Sequence, residues 1–195
     1  MTIQRITATV CAPIPEDFDL STIIPVFHRW IREGLLPGLP IDIANYEHVH
    51  DGPGIWLVGH DGDYGLHTVN GVPGFFYRHK REWEVDSLEA RLGLVLNRLL
   101  GAVGLLERES NLNKLDWQHG ELILTFPDRL NSPNNDDSWN QIEQRVRAAI
   151  ESEFGVETVQ LSRVDNDRRD PLTIQVVFPE SPPLAQLLRN GAAVV

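Results

Sequence analysis

The sequence predicts an α+β fold: a largely antiparallel sheet with helices packed on one face. Two observations predict it. Strand-like segments arrive in hairpin pairs rather than alternating singly with helices, which argues against a parallel, doubly wound sheet. Turn signals at Asp51-Gly52-Pro53-Gly54, Asp61-Gly62 and Asn70-Gly71 fall between those segments, and Asp-Gly or Asn-Gly suits the positive φ angles of tight hairpins.

Taken in order, residues 6–12 alternate β-branched and small side chains and read as a strand that Pro13 and Pro15 end. Asp19 caps a helix carrying Ile23, Ile24, Phe27, Trp30, Ile31 and Leu35 at helical spacing, stopped by Gly34, Pro37, Gly38 and Pro40. A β-rich tract follows, with strands expected near 41–49, 55–60, 63–69 and 74–80. Asp86-Ser87-Leu88-Glu89 forms a capping box for the strongest helix, a core helix over 87–110. Gly93, Gly101 and Gly104 within it cost helix propensity and imply close packing against another element. A strand at Glu121–Phe126, a helix from about Asp137 to Phe154 and strands at 157–163 and 172–178 complete the pattern. Ser181-Pro182 then opens a short helix that Gly191 closes.

The chain reads as one domain over 1–195, with pseudo-repeats 1–80 and 120–195 joined by the core helix. An offset of about 115 positions overlays strand–helix–strand–strand on itself, placing Ile24 on Trp139, Phe27 on Ile142, Ile31 on Val146, Leu35 on Ile150 and Ile41 on Val156. Duplication gives this order, and so does the general likeness of any two amphipathic helices.

Composition excludes several classes. A 42% hydrophobic, 23% charged chain of 195 residues is globular and long enough to bury a core without staples. A single cysteine, Cys11, excludes an intrachain disulfide and a cysteine-based metal framework, and fits a cytoplasmic protein. The net charge of −11 opposes nucleic acid and anionic lipid as partners, because both need displaced counterions and clustered cations. No apolar run reaches the ~20 residues of a membrane span, and the first residues lack a signal-peptide core.

The unusual chemistry is concentrated between Asn45 and Arg81. His48, His50, His60, His67 and His79 fall there, as do Tyr46, Tyr64 and Tyr77. On an extended strand Tyr46, His48 and His50 share one side, and Trp56 and Val58 alternate with Ile55 and Leu57 on the next. The second face of the sheet is therefore expected to be aromatic and histidine-rich, and covered by a subunit, a loop or a ligand. A homodimer through this face is one expectation, and a small anionic ligand another. Tyr46, Trp56 and Tyr64 would supply the aromatic surface and Arg78 the charge. His48-Val49-His50 has a spacing that can serve two positions on a zinc or iron ion, with Asp51 or His60 completing the set. Cross-strand hydrogen bonding accounts for the same spacing. His60 and Asp63, on either side of the Asp61-Gly62 turn, are the candidate acid–base pair of an enzyme reading. Arg78-His79-Lys80-Arg81 is a basic cluster in an acidic chain, suited to a carboxylate or phosphate, or to protecting a sheet edge. The mixed-charge tip around Asp165–Asp170 reads as solvated surface.

Overall fold

The computed structural model describes residues 3, 5–15, 17–50, 52–69, 72–118, 120–156 and 158–180. Asp51, the Asn70-Gly71 turn and the helix expected from Ser181 lie outside the described residues. Alternation makes Ile6–Cys11 the first strand, β1. Asp19 then accepts a hydrogen bond from the Ser21 amide at 2.9 Å, opening a 3-10 turn that leads into α1, Ile24–Glu33. Gly34, at φ 63°, ends α1 in the left-handed conformation that glycine adopts without steric cost. Four strands follow: β2 (Pro40–Asn45), β3 (Ile55–Gly59), β4 (Gly62–Val69) and β5 (Val72–His79).

The long apolar helix α2 spans Leu88–Leu106. Its cap is Ser87 rather than Asp86, the Ser87 hydroxyl accepting from the Ala90 amide at 3.0 Å. After β6 (Glu121–Phe126), Asn135 caps α3 (Asp136–Phe154) by accepting from the Ser138 amide at 2.8 Å. Strands β7 (Gln160–Arg163) and β8 (Leu172–Val177) complete the described elements.

All eight strands join one antiparallel sheet in the order β2-β3-β4-β5-β1-β6-β8-β7. The α+β expectation is met, with the helices on one face. Phe27 of α1 meets Phe75 of β5 at 6.4 Å between ring centroids, α2 lies over β1 and β5, and Phe154 of α3 packs edge-on to Phe178 at 5.7 Å. Beneath them Ile6, Ala8, Val10, Leu57, Leu66, Tyr77, Leu124 and Ile174 form the buried floor of the core. Gly93 admits α3, since a Cβ there would stand 2.7 Å from the Glu153 carboxylate. Gly101 faces open space, so close packing explains only the first of these two glycines. Among the described residues, no helix is long and apolar enough to cross a membrane.

The offset that suggested a repeat carries Ile6–Cys11 onto the full span of β6 and α1 into α3. The halves then diverge. Val156, the counterpart of Ile41, precedes β7, and three strands separate β2 from β1 where only β8 separates β7 from β6.

Candidate functional site

Register fixes what faces away from the helices. One row crosses all eight strands: Ala44, Trp56, Gly65, Phe76, Thr9, Ile123, Gln175 and Ser162. A neighbouring row runs Asp63, Arg78, Thr7, Thr125 and Thr173. The helix-free face is therefore aromatic over β3–β5, and over β1, β6 and β8 it carries mainly threonines with Ile123 and Gln175. Its middle is already buried within the chain, at Thr9, Cys11, Phe76, Ile123 and Thr173. Burial pushes the Cys11 thiol up to about 11, with the Glu121 carboxylate adding to the effect, so it stays protonated and unreactive.

The aromatic part is a shelf. Phe76 is fully buried and lies over Gly65, where a Cβ would come within 2.8 Å of its ring. Trp56 meets Phe76 edge-on at 5.0 Å, and Tyr46 meets Trp56 edge-on at 6.3 Å. The His67 ring packs on Phe76 at 4.1 Å. On this shelf rests Arg78, its guanidinium 4.7 Å from the Trp56 ring centroid and 5.9 Å from that of Phe76. Such cation–π contacts hold a desolvated guanidinium in place. The Arg78 Nε is buried and, among the described residues, has no hydrogen-bond partner. Burial, aided by the positive charge of Arg5, lowers the Arg78 pKa below its ordinary value.

Beside Arg78 a cleft of about 390 Å³ is lined by Arg5, Asp63, Arg78, Lys80 and Arg81. Lys80 Nζ donates to Asp63 Oδ1 at 2.7 Å, and that oxygen also accepts from the Gly59 amide at 3.3 Å. Arg81 Nε donates to the His60 carbonyl at 3.0 Å, which draws the cluster's last cation toward the β3–β4 turn. Four cations thus surround one carboxylate in a chain whose net charge is −11.

Of the residues singled out in the sequence, Tyr46, Trp56 and Arg78 converge here. Tyr64 does not: it lies on the helix side, buried 4.7 Å from the Tyr77 ring. Alternation along β4 puts it opposite Asp63, so it cannot join the other ligand-binding candidates.

The acid–base pair is also corrected. The β3–β4 turn is His60-Asp61, one residue earlier than Asp61-Gly62, so Asp63 is the second residue of β4, no longer flanks the turn opposite His60, and lines the basic cleft. His60 Nδ1 pairs with Asp61 Oδ1 at 2.9 Å instead, and that hydrogen bond holds the Asp61 carboxyl below the usual carboxylate range. His48 and His50 share no strand face. Asn45 Oδ1 accepts from the Glu47 amide at 2.9 Å and ends β2, leaving both histidines on an exposed loop. Among the described residues no group of three His, Cys, Asp or Glu is placed to hold a metal ion; Asp51 lies outside them.

A second polar cluster occupies the helix side of the same turn. Arg98 Nη1 donates to the Tyr77 hydroxyl at 2.9 Å, and that hydroxyl meets His79 Nδ1 at 3.2 Å. The His79 ring stacks on Trp83 at 4.0 Å. Burial pushes the Tyr77 hydroxyl up to about 12, so it is a hydrogen-bonding and not a titrating group near neutrality.

His67 titrates in a useful range. Burial, and secondarily the charge of Arg78, lowers its pKa from 6.5 to about 4. Between those values the unfolded chain binds a proton that the folded chain refuses, so folding stability falls as pH drops through this window. His67→Phe keeps the ring and removes the titration. Its stability relative to the parent is expected to rise by about 2–3 kcal/mol between pH 7 and pH 4, measured by urea unfolding at each pH. Parallel curves would show that His67 takes up its proton equally in both states.

Arg5 was not among the residues the sequence singled out. Lys80 and Arg81 stand in the visible basic cluster, but Arg5 reaches the cleft only through β1–β5 pairing. No family model, curated protein or solved structure matches this chain.

Proposed function

We propose that this protein is a small-ligand-binding module whose ligand is an anion held in the cleft of Arg5, Arg78, Lys80 and Arg81. One observation carries the reading: among the described residues, the Arg78 guanidinium, seated on Trp56 and Phe76, lines a cleft with three further cations and one carboxylate. Guanidinium groups with free donors bind carboxylate and phosphate oxyanions through short charge-assisted hydrogen bonds. The Trp56–Phe76 shelf fixes the Arg78 plane before the ligand arrives, which lowers the ordering cost of binding. Asp63 holds Lys80 at the cleft and offsets part of its positive charge.

A homodimer through the sheet face draws less support, because Thr9, Phe76 and Thr173 in the middle of that face are already buried. An enzyme centred on His48, His50 and His60 draws none from geometry, since these side chains lie on an exposed loop and on a separate turn.

The test is titration with inorganic orthophosphate and pyrophosphate at low ionic strength, read by calorimetry and by tryptophan fluorescence. Saturable binding is expected, with Arg78→Ala weakening it about tenfold or more. Salt should weaken it steeply. No saturable response to either anion at millimolar concentration would sink the reading, and so would an Arg78→Ala variant that binds as well as the parent.

A further inference from the structure

The cleft around Arg78 does not stand alone. A second cleft, of about 690 Å³, is lined by Arg5, Asp128, Arg129, Leu130, Arg168 and Arg169, together with Pro127 and Pro133. Arg5 belongs to both. Topology explains the meeting. Arg5 precedes β1, Lys80 follows β5, Arg129 follows β6, and Arg168 and Arg169 precede β8. In an antiparallel sheet ordered β5-β1-β6-β8, those four strand termini lie at the same end.

From Lys80 to Arg168 the path crosses three strand spacings, or about 14 Å. That exceeds the reach of one phosphate. Three guanidinium groups line the second cleft besides the shared Arg5. Its carboxylate, Asp128, is engaged by the Asn131 side-chain amide at 2.6 Å, and Arg129 Nη1 donates to the Arg169 carbonyl. Arg169 is paired with Asp167 at 3.0 Å, which leaves Arg129 and Arg168 as the cations facing a ligand.

We infer that the two clefts form one track for a short phosphate chain, which starts at Arg78 and Lys80, passes Arg5 and ends at Arg129 and Arg168. The inference rests on the anion-binding reading above and extends it to a ligand class. A phosphate chain carries charge at every link, which suits cations delivered strand by strand. The chain must be short. Seven of the 17 Lys and Arg residues line the two clefts, so the remaining surface of a chain with net charge −11 repels any polyanion running past them.

The experiment compares orthophosphate, tripolyphosphate and hexaglutamate by calorimetry at one ionic strength, on the parent, Arg78→Ala, Arg168→Ala and Arg129→Ala. Tripolyphosphate is expected to bind at least tenfold tighter than orthophosphate. Arg168→Ala, and separately Arg129→Ala, should lower that ratio several-fold, while Arg78→Ala weakens both anions. Arg168 sits on an exposed hairpin tip, so its variant tests the track even where Arg129→Ala loosens the loop through its lost bond to Arg169. Orthophosphate binding without any gain from chain length overturns the track and leaves the anion site standing. A gain that survives both second-cleft variants overturns it too, as does hexaglutamate binding as tightly as tripolyphosphate. Absence of orthophosphate and tripolyphosphate binding overturns the anion reading itself.

Discussion

Phe76→Ala is expected to lower the unfolding free energy by about 3–5 kcal/mol, measured by urea denaturation with tryptophan fluorescence. The ring is fully buried and lies against Trp56, His67 and the Gly65 backbone. Truncation leaves a void that a glycine beneath it cannot fill, so relaxation is limited and the loss falls in the upper part of the range for aromatic truncations. A second consequence separates this site from an ordinary core position. Arg78 loses one of the two rings that hold its guanidinium, so affinity for the proposed anion is expected to fall along with stability. Phe76→Leu refills most of the volume and is expected to restore most of the stability but not the flat surface. Stability loss below about 1 kcal/mol in Phe76→Ala would show that the aromatic stack is not what keeps this face dry.

Gly54→Ala is expected to cost about 3–4 kcal/mol, from two terms of similar size. Gly54 sits at φ 78°, where an L side chain costs roughly 1–2 kcal/mol. A Cβ there would also meet the Leu66 carbonyl oxygen deep inside van der Waals distance, and such overpacking costs typically 1–3 kcal/mol. The Gly54 carbonyl accepts from the Tyr46 amide at 2.9 Å, so the variant also unpins the 46–54 loop from β3. Thermal unfolding checks the size of the loss. A change under 1 kcal/mol would mean that the loop moves freely enough to absorb the new methyl group.

The architecture was legible because its signals are local. Ile6–Cys11, the Asp19 cap, the α2 apolar stripe and the helix from about Asp137 each announce themselves within a few residues of sequence. Errors came where one residue decides a face. The Asn45 side chain ends β2 early by bonding the Glu47 amide, which strands His48 and His50 outside the sheet. A one-residue displacement of the β3–β4 turn sends Asp63 to the basic cleft and hands His60 to Asp61. Period-two alternation punishes such slips fully, and it also carried Tyr64 into the core. The proposed anion site was half legible. Arg78 and Lys80 announce a basic cluster in an acidic chain, whereas Arg5, Arg129 and Arg168 come from three distant segments that only strand pairing unites.

That dependence on β1 has a kinetic consequence. Ile6 pairs with His79 on one side, and Thr7 with Thr125 on the other, so β1 is zipped in by contacts spanning most of the chain. Closing such long loops is slow, and it places this sheet among folders of milliseconds to seconds rather than microseconds. Before β1 docks, Arg5 is far from Lys80 and neither cleft exists. An anion that needs both Arg5 and Lys80 would therefore bind only the docked state and stabilise the folded chain by mass action.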